Sequence, residues 1–170
     1  MCHDQYTEVT FQQWLTSELR LDGSQRHNAA FILDFDAMPP GQKWDCSLAQ
    51  FSMQGAGEAV TDSNGDDSQE SPIGIVILEG LNCPYNVQVG GENSSMPSGI
   101  LSRMDFSTAD QGVTSCSVNP SSLAPAICCT RPQSGLYRIK LVSPVSGTFL
   151  KTEGSDMNPW MACLQFKLLK

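Results

Sequence analysis

An antiparallel β-sandwich is the fold class this sequence predicts, on three observations. The stretch 158–170, NPWMACLQFKLLK, alternates strictly, with Trp160, Ala162, Leu164, Phe166 and Leu168 on one side and Met161, Cys163, Gln165 and Lys167 on the other. Alternation over this length marks a strand with one face in a core. From Asn28 onward the apolar pattern keeps a two-residue period, with Pro or Gly at its corners. No strand–helix–strand alternation is present, which argues against a parallel sheet. A terminal strand this apolar belongs in the middle of its sheet, with neighbours from earlier in the chain on both sides.

The first segment reads differently. Thr10-Phe11-Gln12-Gln13 has capping-box spacing, and Phe11, Trp14, Leu15 and Leu19 follow at helical intervals until Gly23. The spacing predicts a short amphipathic helix over about residues 11–21, within an N-terminal arm of residues 1–27. Its apolar face, Phe11, Trp14 and Leu15, must be buried on its own core or on a neighbouring subunit. Residues 28–170 then form one sandwich domain.

Within that domain Phe31, Leu33 and Phe35 alternate, and Pro39-Pro40-Gly41 turns the chain. Trp44, Cys46 and Leu48 alternate next, and the phase slips by one to Ala49, Phe51 and Met53, as a β-bulge would produce. A long polar loop over 55–70 leads to Ile73–Leu78, whose β-branched run reads as a strand buried on both faces. Tyr85, Val87 and Val89 follow, then Ile100, Ser102, Met104 and Phe106. Short candidates over 114–118 and 126–130, the alternating Tyr137, Ile139 and Leu141, and a minor hairpin arm over 147–151 precede the final strand. Expected in the core are Phe31, Phe35, Trp44, Ile75, Phe106, Leu141, Trp160, Leu164 and Phe166. An eight-stranded jelly roll best accommodates these elements with the last strand placed centrally. An immunoglobulin-type sandwich lacks its cysteine–tryptophan–cysteine spacing here.

Composition narrows the function. The 170 residues are 40% hydrophobic and 16% charged, with net charge −8. Residues 31–70 hold eight acids and one base, so the charge is concentrated there. With no basic cluster, nucleic acid and anionic membrane are poor partners. No apolar run approaches the roughly 20 residues of a membrane span. The first residues lack the basic start and apolar middle of a signal peptide. The seven cysteines are odd in number, include the adjacent Cys128 and Cys129, and show no zinc-knuckle spacing. Reduced thiols are the expectation, and the sequon at Asn93 matters only in a secreted protein.

Catalysis finds little support. His3 lies near the N-terminus and His27 in a polar turn, neither beside a recognised nucleophile motif. Asp34 and Asp36 share a strand face and read as a solvated face rather than a glycosidase pair. Asp62, Asn64 and Asp66 place oxygen ligands at alternate positions, as a calcium loop begins. Asp67 then stands where the turn glycine belongs and Ile73 where the closing glutamate belongs. The stretch reads as an acidic loop, with those three residues the calcium candidates. No catalytic residue and no cofactor is expected.

Two stretches carry a resemblance. RPQSGLYRIKLVSP, followed by Asn158-Pro159-Trp160 and MACLQFKLL, resembles the last two strands of single jelly-roll proteins in the capsids of large DNA viruses. ILDFDAMPPGQKWDCSLAQFSM resembles their first two strands. The resemblance implies a minor capsid or vertex (penton-type) protein of the virion, assembled in the host cytoplasm. Its partners would be copies of itself, most simply five about a vertex, and other capsid proteins. The alternative is a lectin-like or cytokine-like binding module using loops at one end of the sandwich.

Overall fold

A computed structural model describes residues 9–53, 60–62, 73–81, 98–105, 127–144, 146–152 and 156–169. These residues are nearly all β. The strands are β1 (Thr10–Thr16), β2 (Asn28–Leu33), β3 (Lys43–Met53), β4 (Thr61–Asp62), β5 (Ile73–Glu79), β6 (Ser98–Asp105), β7 (Ile127–Thr130), β8 (Gly135–Val142), β9 (Leu150–Lys151) and β10 (Trp160–Leu168). One antiparallel sheet runs β1-β10-β3-β7 and a second runs β2-β8-β5-β6, while β4 and β9 pair separately. The two larger sheets share one apolar core, the architecture of a β-sandwich.

The alternation in β10 sets the first sheet. Trp160, Ala162, Leu164 and Phe166 are buried, and the strand lies between β1 and β3 as expected of so apolar a segment. The phase slip in β3 is a bulge. Gln50 pairs with Cys163 and Leu48 with Leu164, which leaves Ala49 without an opposite residue and turns both Leu48 and Phe51 inward. From the second sheet Phe31, Val76, Leu78, Tyr137, Ile139 and Leu141 meet this face. Aromatic edges lock the layers, Phe31 against Trp160 at 6.1 Å and Phe35 against Phe166 at 5.1 Å between ring centres. Gly99 of β6 lies so close to Ile127 of β7 that a Cβ there would collide with its side chain. That approach brings the edges of the two sheets together.

The expected helix over 11–21 is corrected: this segment is strand β1 followed by a single 3-10 turn at Ser17–Leu19. Phe11 and Leu15 face the core with Gln13 between them, so the true period is two. An isolated helix this short has little intrinsic stability, whereas a strand here pairs along its whole length with β10, Thr10 opposite Lys167 through Thr16 opposite Met161. Residues 10–16 are thus part of the sheet rather than a helical appendage. Of the expected core, Ile75 is only half-buried and Phe106 lies outside the described residues. Leu101 is buried and occupies a bulge, since Ile100 pairs with Ile77 and Ser102 with Val76. The candidate strands at 85–89 and 114–118 lie outside the described residues. Residues 147–151 close against β8 through a bridge between Val142 and Phe149, but β9 itself pairs with β4.

Candidate functional site

Two side-chain clusters combine polar chemistry with accessible or organised geometry. The first occupies the end of the sandwich where the β2–β3 and β7–β8 connections meet. Phe35 anchors the first connection, its ring packed edge-on against Tyr137 at 5.3 Å and against Phe166. Met38 N–H donates to the Phe35 carbonyl, and Arg131 N–H donates to the Gln42 carbonyl. The Tyr137 hydroxyl donates to the Gln133 carbonyl at 2.6 Å, which fixes the second connection.

On this base Ser134 Oγ accepts the Phe35 N–H at 2.9 Å and lies 3.1 and 3.0 Å from the Oδ1 atoms of Asp34 and Asp36. Arg131 Nη2 donates to Asp36 Oδ1 at 3.0 Å. The Asp36 N–H, then the Ser134 hydroxyl, then the Arg131 guanidinium hold the Asp34 carboxyl below its ordinary range. A shallow cleft of about 510 Å³ opens here, lined by residues including Asp36, Pro40, Arg131 and Gln133. One ion pair, a hydroxyl and two proline walls suit contact with a polar ligand or loop. The Ser134 hydroxyl, taking the Phe35 N–H and reaching both carboxylates, ties the two connections together.

A second cluster joins the start of β2 to the segment before β10. Asp156 Oδ1 accepts the N–H groups of Arg26, His27 and Met157 at 2.7, 3.3 and 2.8 Å. His27 Nδ1 lies 3.4 Å from the same oxygen, and the imidazole stacks on Phe149 at 4.8 Å. Lys140 Nζ sits 5.9 Å above that phenyl ring and 2.7 Å from Glu79 Oε1, in a pair that is almost fully buried. The Trp160 indole N–H donates to the Arg26 carbonyl at 2.8 Å. With its oxygen committed to three backbone donors, Asp156 acts as a brace between chain segments.

The residues singled out from the sequence fall as follows. Leu15 is a core residue, and Phe11 is half-buried with its ring 5.4 Å from Trp44. Trp14 points outward and is 53% exposed. Asp62 lies in β4 opposite Leu150, while Asn64 and Asp66 lie outside the described residues. Among the described residues no three His, Cys, Asp or Glu side chains come together as a metal would require. Cys46, Cys129 and Cys163 are buried and Cys128 is exposed. The structure brings Asp34 and Asp36 together with Arg131 and Ser134, which sequence reading did not single out. Nothing local in the sequence ties those loops together, because nearly a hundred residues separate them.

No protein-family model matches the chain, and no curated protein is significantly similar to it.

Proposed function

We propose that this chain is a structural subunit of a virion, a minor capsid or vertex component that works by self-association and by contact with larger shell proteins. The observation that supports it is strand order. With the two-residue strands β4 and β9 set aside, eight strands remain among the described residues. In chain order they run first-eighth-third-sixth in one sheet and second-seventh-fourth-fifth in the other. That order is the one two Greek keys would give in an eight-stranded jelly roll, a fold used for shell subunits and for lectin domains, and it supports this reading. The chain carries no catalytic role in this reading.

Exposed large apolar side chains favour the shell subunit over the lectin. Those of the described residues are Val9, Trp14, Leu19, Leu21, Ile32, Leu136 and Met161. All lie on β1, on β2, between or beside them, or on their paired neighbours β10 and β8. The outer faces of both sheets therefore offer apolar surface near the β1 and β2 edges. The cleft beside Asp36 and Arg131 is the feature that favours the binding-module alternative.

The deciding experiment is mass in solution by sedimentation, followed by incorporation into particles on co-expression with a major shell protein. A discrete oligomer that enters particles is expected. A monomer that instead binds a glycan array or a calcium-dependent ligand would overturn the proposal.

A further inference from the structure

Strand β1 is a sheet edge, paired with β10 on one side and, among the described residues, with no strand on the other. Proteins usually blunt such edges with a charge, a proline or a bulge, because an open row of N–H and C=O groups invites another strand. The β1 sequence TFQQWLT has no charge and no proline, and it keeps unbroken register against β10. The remaining edges differ. β6 carries Arg103 and Asp105, β7 is only 4 residues long, and β2 is partly covered where Leu21 N–H donates to the Ala30 carbonyl.

The strand is also close to symmetrical about Gln13. A second copy turned about a two-fold axis at Gln13 and set antiparallel places Thr10 opposite Thr16, Phe11 opposite Leu15 and Gln12 opposite Trp14. Gln13 then faces its own counterpart. No like charges meet, threonine faces threonine and apolar faces apolar, and the two Trp14 indoles become diagonal neighbours on one sheet face. Beside the strand, Val9 is 40% exposed, Leu19 80% and Met161 39%. With Trp14 these side chains expose roughly 400 Å², about half of the ~800 Å² each partner gives a standard interface, before the strand backbone is counted.

We infer that β1 pairs with β1 of a second copy across this axis, joining two four-stranded sheets into one of eight. The inference rests on the self-association part of the proposed function and names its surface. A two-fold contact closes on itself, so it joins subunits in pairs and leaves any ring to other surfaces.

Two double variants at solvent-facing positions test it, Gln12→Glu with Trp14→Glu and Gln12→Lys with Trp14→Lys. Each sets like charges opposite one another twice, and both should keep the wild-type circular dichroism spectrum. The expected result is a wild-type mass that is an even multiple of the subunit, halved in each variant, and restored when the two variants are mixed. Mild oxidation of Gln13→Cys should also give a peptide pair joined position 13 to position 13. If both variants keep the wild-type mass, the contact is elsewhere and self-association itself stands. If mixing fails to restore the mass, or the oxidised peptide pair is missing, the β1 pairing is wrong. A monomeric wild type overturns both the pairing and the self-association.

Discussion

Replacing Phe166 with Ala probes the packing on which the sandwich depends. The side chain is fully buried in the central strand β10, opposite Phe11 on one side and Cys46 on the other. The Phe35 ring stands edge-on to it from the chain that leaves β2. Truncating such a phenylalanine costs about 3–5 kcal/mol, part from lost transfer and part from the cavity left behind. Half-buried Phe11 can lean into the gap, which favours the lower half of that range. For a chain of this size the loss corresponds to a fall in Tm of roughly 6–20 °C. Urea unfolding followed by circular dichroism, with the slope unchanged, would measure it. Met161→Ala, on the opposite face and 39% exposed, should stay within about 0.5 kcal/mol. A silent Phe166→Ala beside a damaging Met161→Ala would place the register one residue off and refute the assigned core face.

Other perturbations follow from the same structure. Asp156→Ala removes one acceptor from three backbone N–H groups and should cost about 1–3 kcal/mol in urea unfolding, with Asp156→Asn recovering part of it. Lys140→Met takes away the cation 2.7 Å from buried Glu79 and should cost about 3–5 kcal/mol, whereas Lys140→Met with Glu79→Leu should recover most of that stability. Burial, then the nearby Cys129 and Cys46, push the Tyr137 phenol above its ordinary value of 10.0. The native state therefore keeps that proton, and the stability it contributes is complete below pH 10 and lost as pH rises above it. The native difference in phenolate absorbance between wild type and Tyr137→Phe should accordingly be flat near pH 10, and a normal titration there would refute the assignment. Of the four described thiols, Cys128 should be alkylated in the native protein and the buried three only on unfolding, which peptide mass mapping would show.

Where each side chain's environment is decided by its own strand, the sequence was a sufficient guide. β10 was legible because nothing interrupts its alternation, and the β3 bulge was legible because Leu48 and Phe51 are both large and apolar at odd spacing. β1 was misread for a specific reason. The inward position between Phe11 and Leu15 is held by Gln13, whose side-chain amide donates to the Asp34 carbonyl at 2.9 Å. A polar residue there hides a period of two, and Trp14 on the outer face supplies a false period near 3.6. In β6 the alternation gave no sign of the bulge at Leu101, which is buried. The cleft was half legible. Asp34 and Asp36 stand out as a pair, but their charge balance comes from Arg131 and Ser134, whose approach is a product of topology.

The central position of β10 also governs how the protein is made. β1 and β3 emerge from the ribosome early, yet their shared partner is the last of the described strands in chain order. Until it arrives, β1 and β3 lack the strand that joins them, and Leu15, Trp44 and Phe51 have no β10 side chains to pack against. Pairings that span nearly the whole sequence, such as Thr10 with Lys167, belong to topologies that fold slowly. The nascent chain therefore holds two apolar strands in waiting until β10 is made.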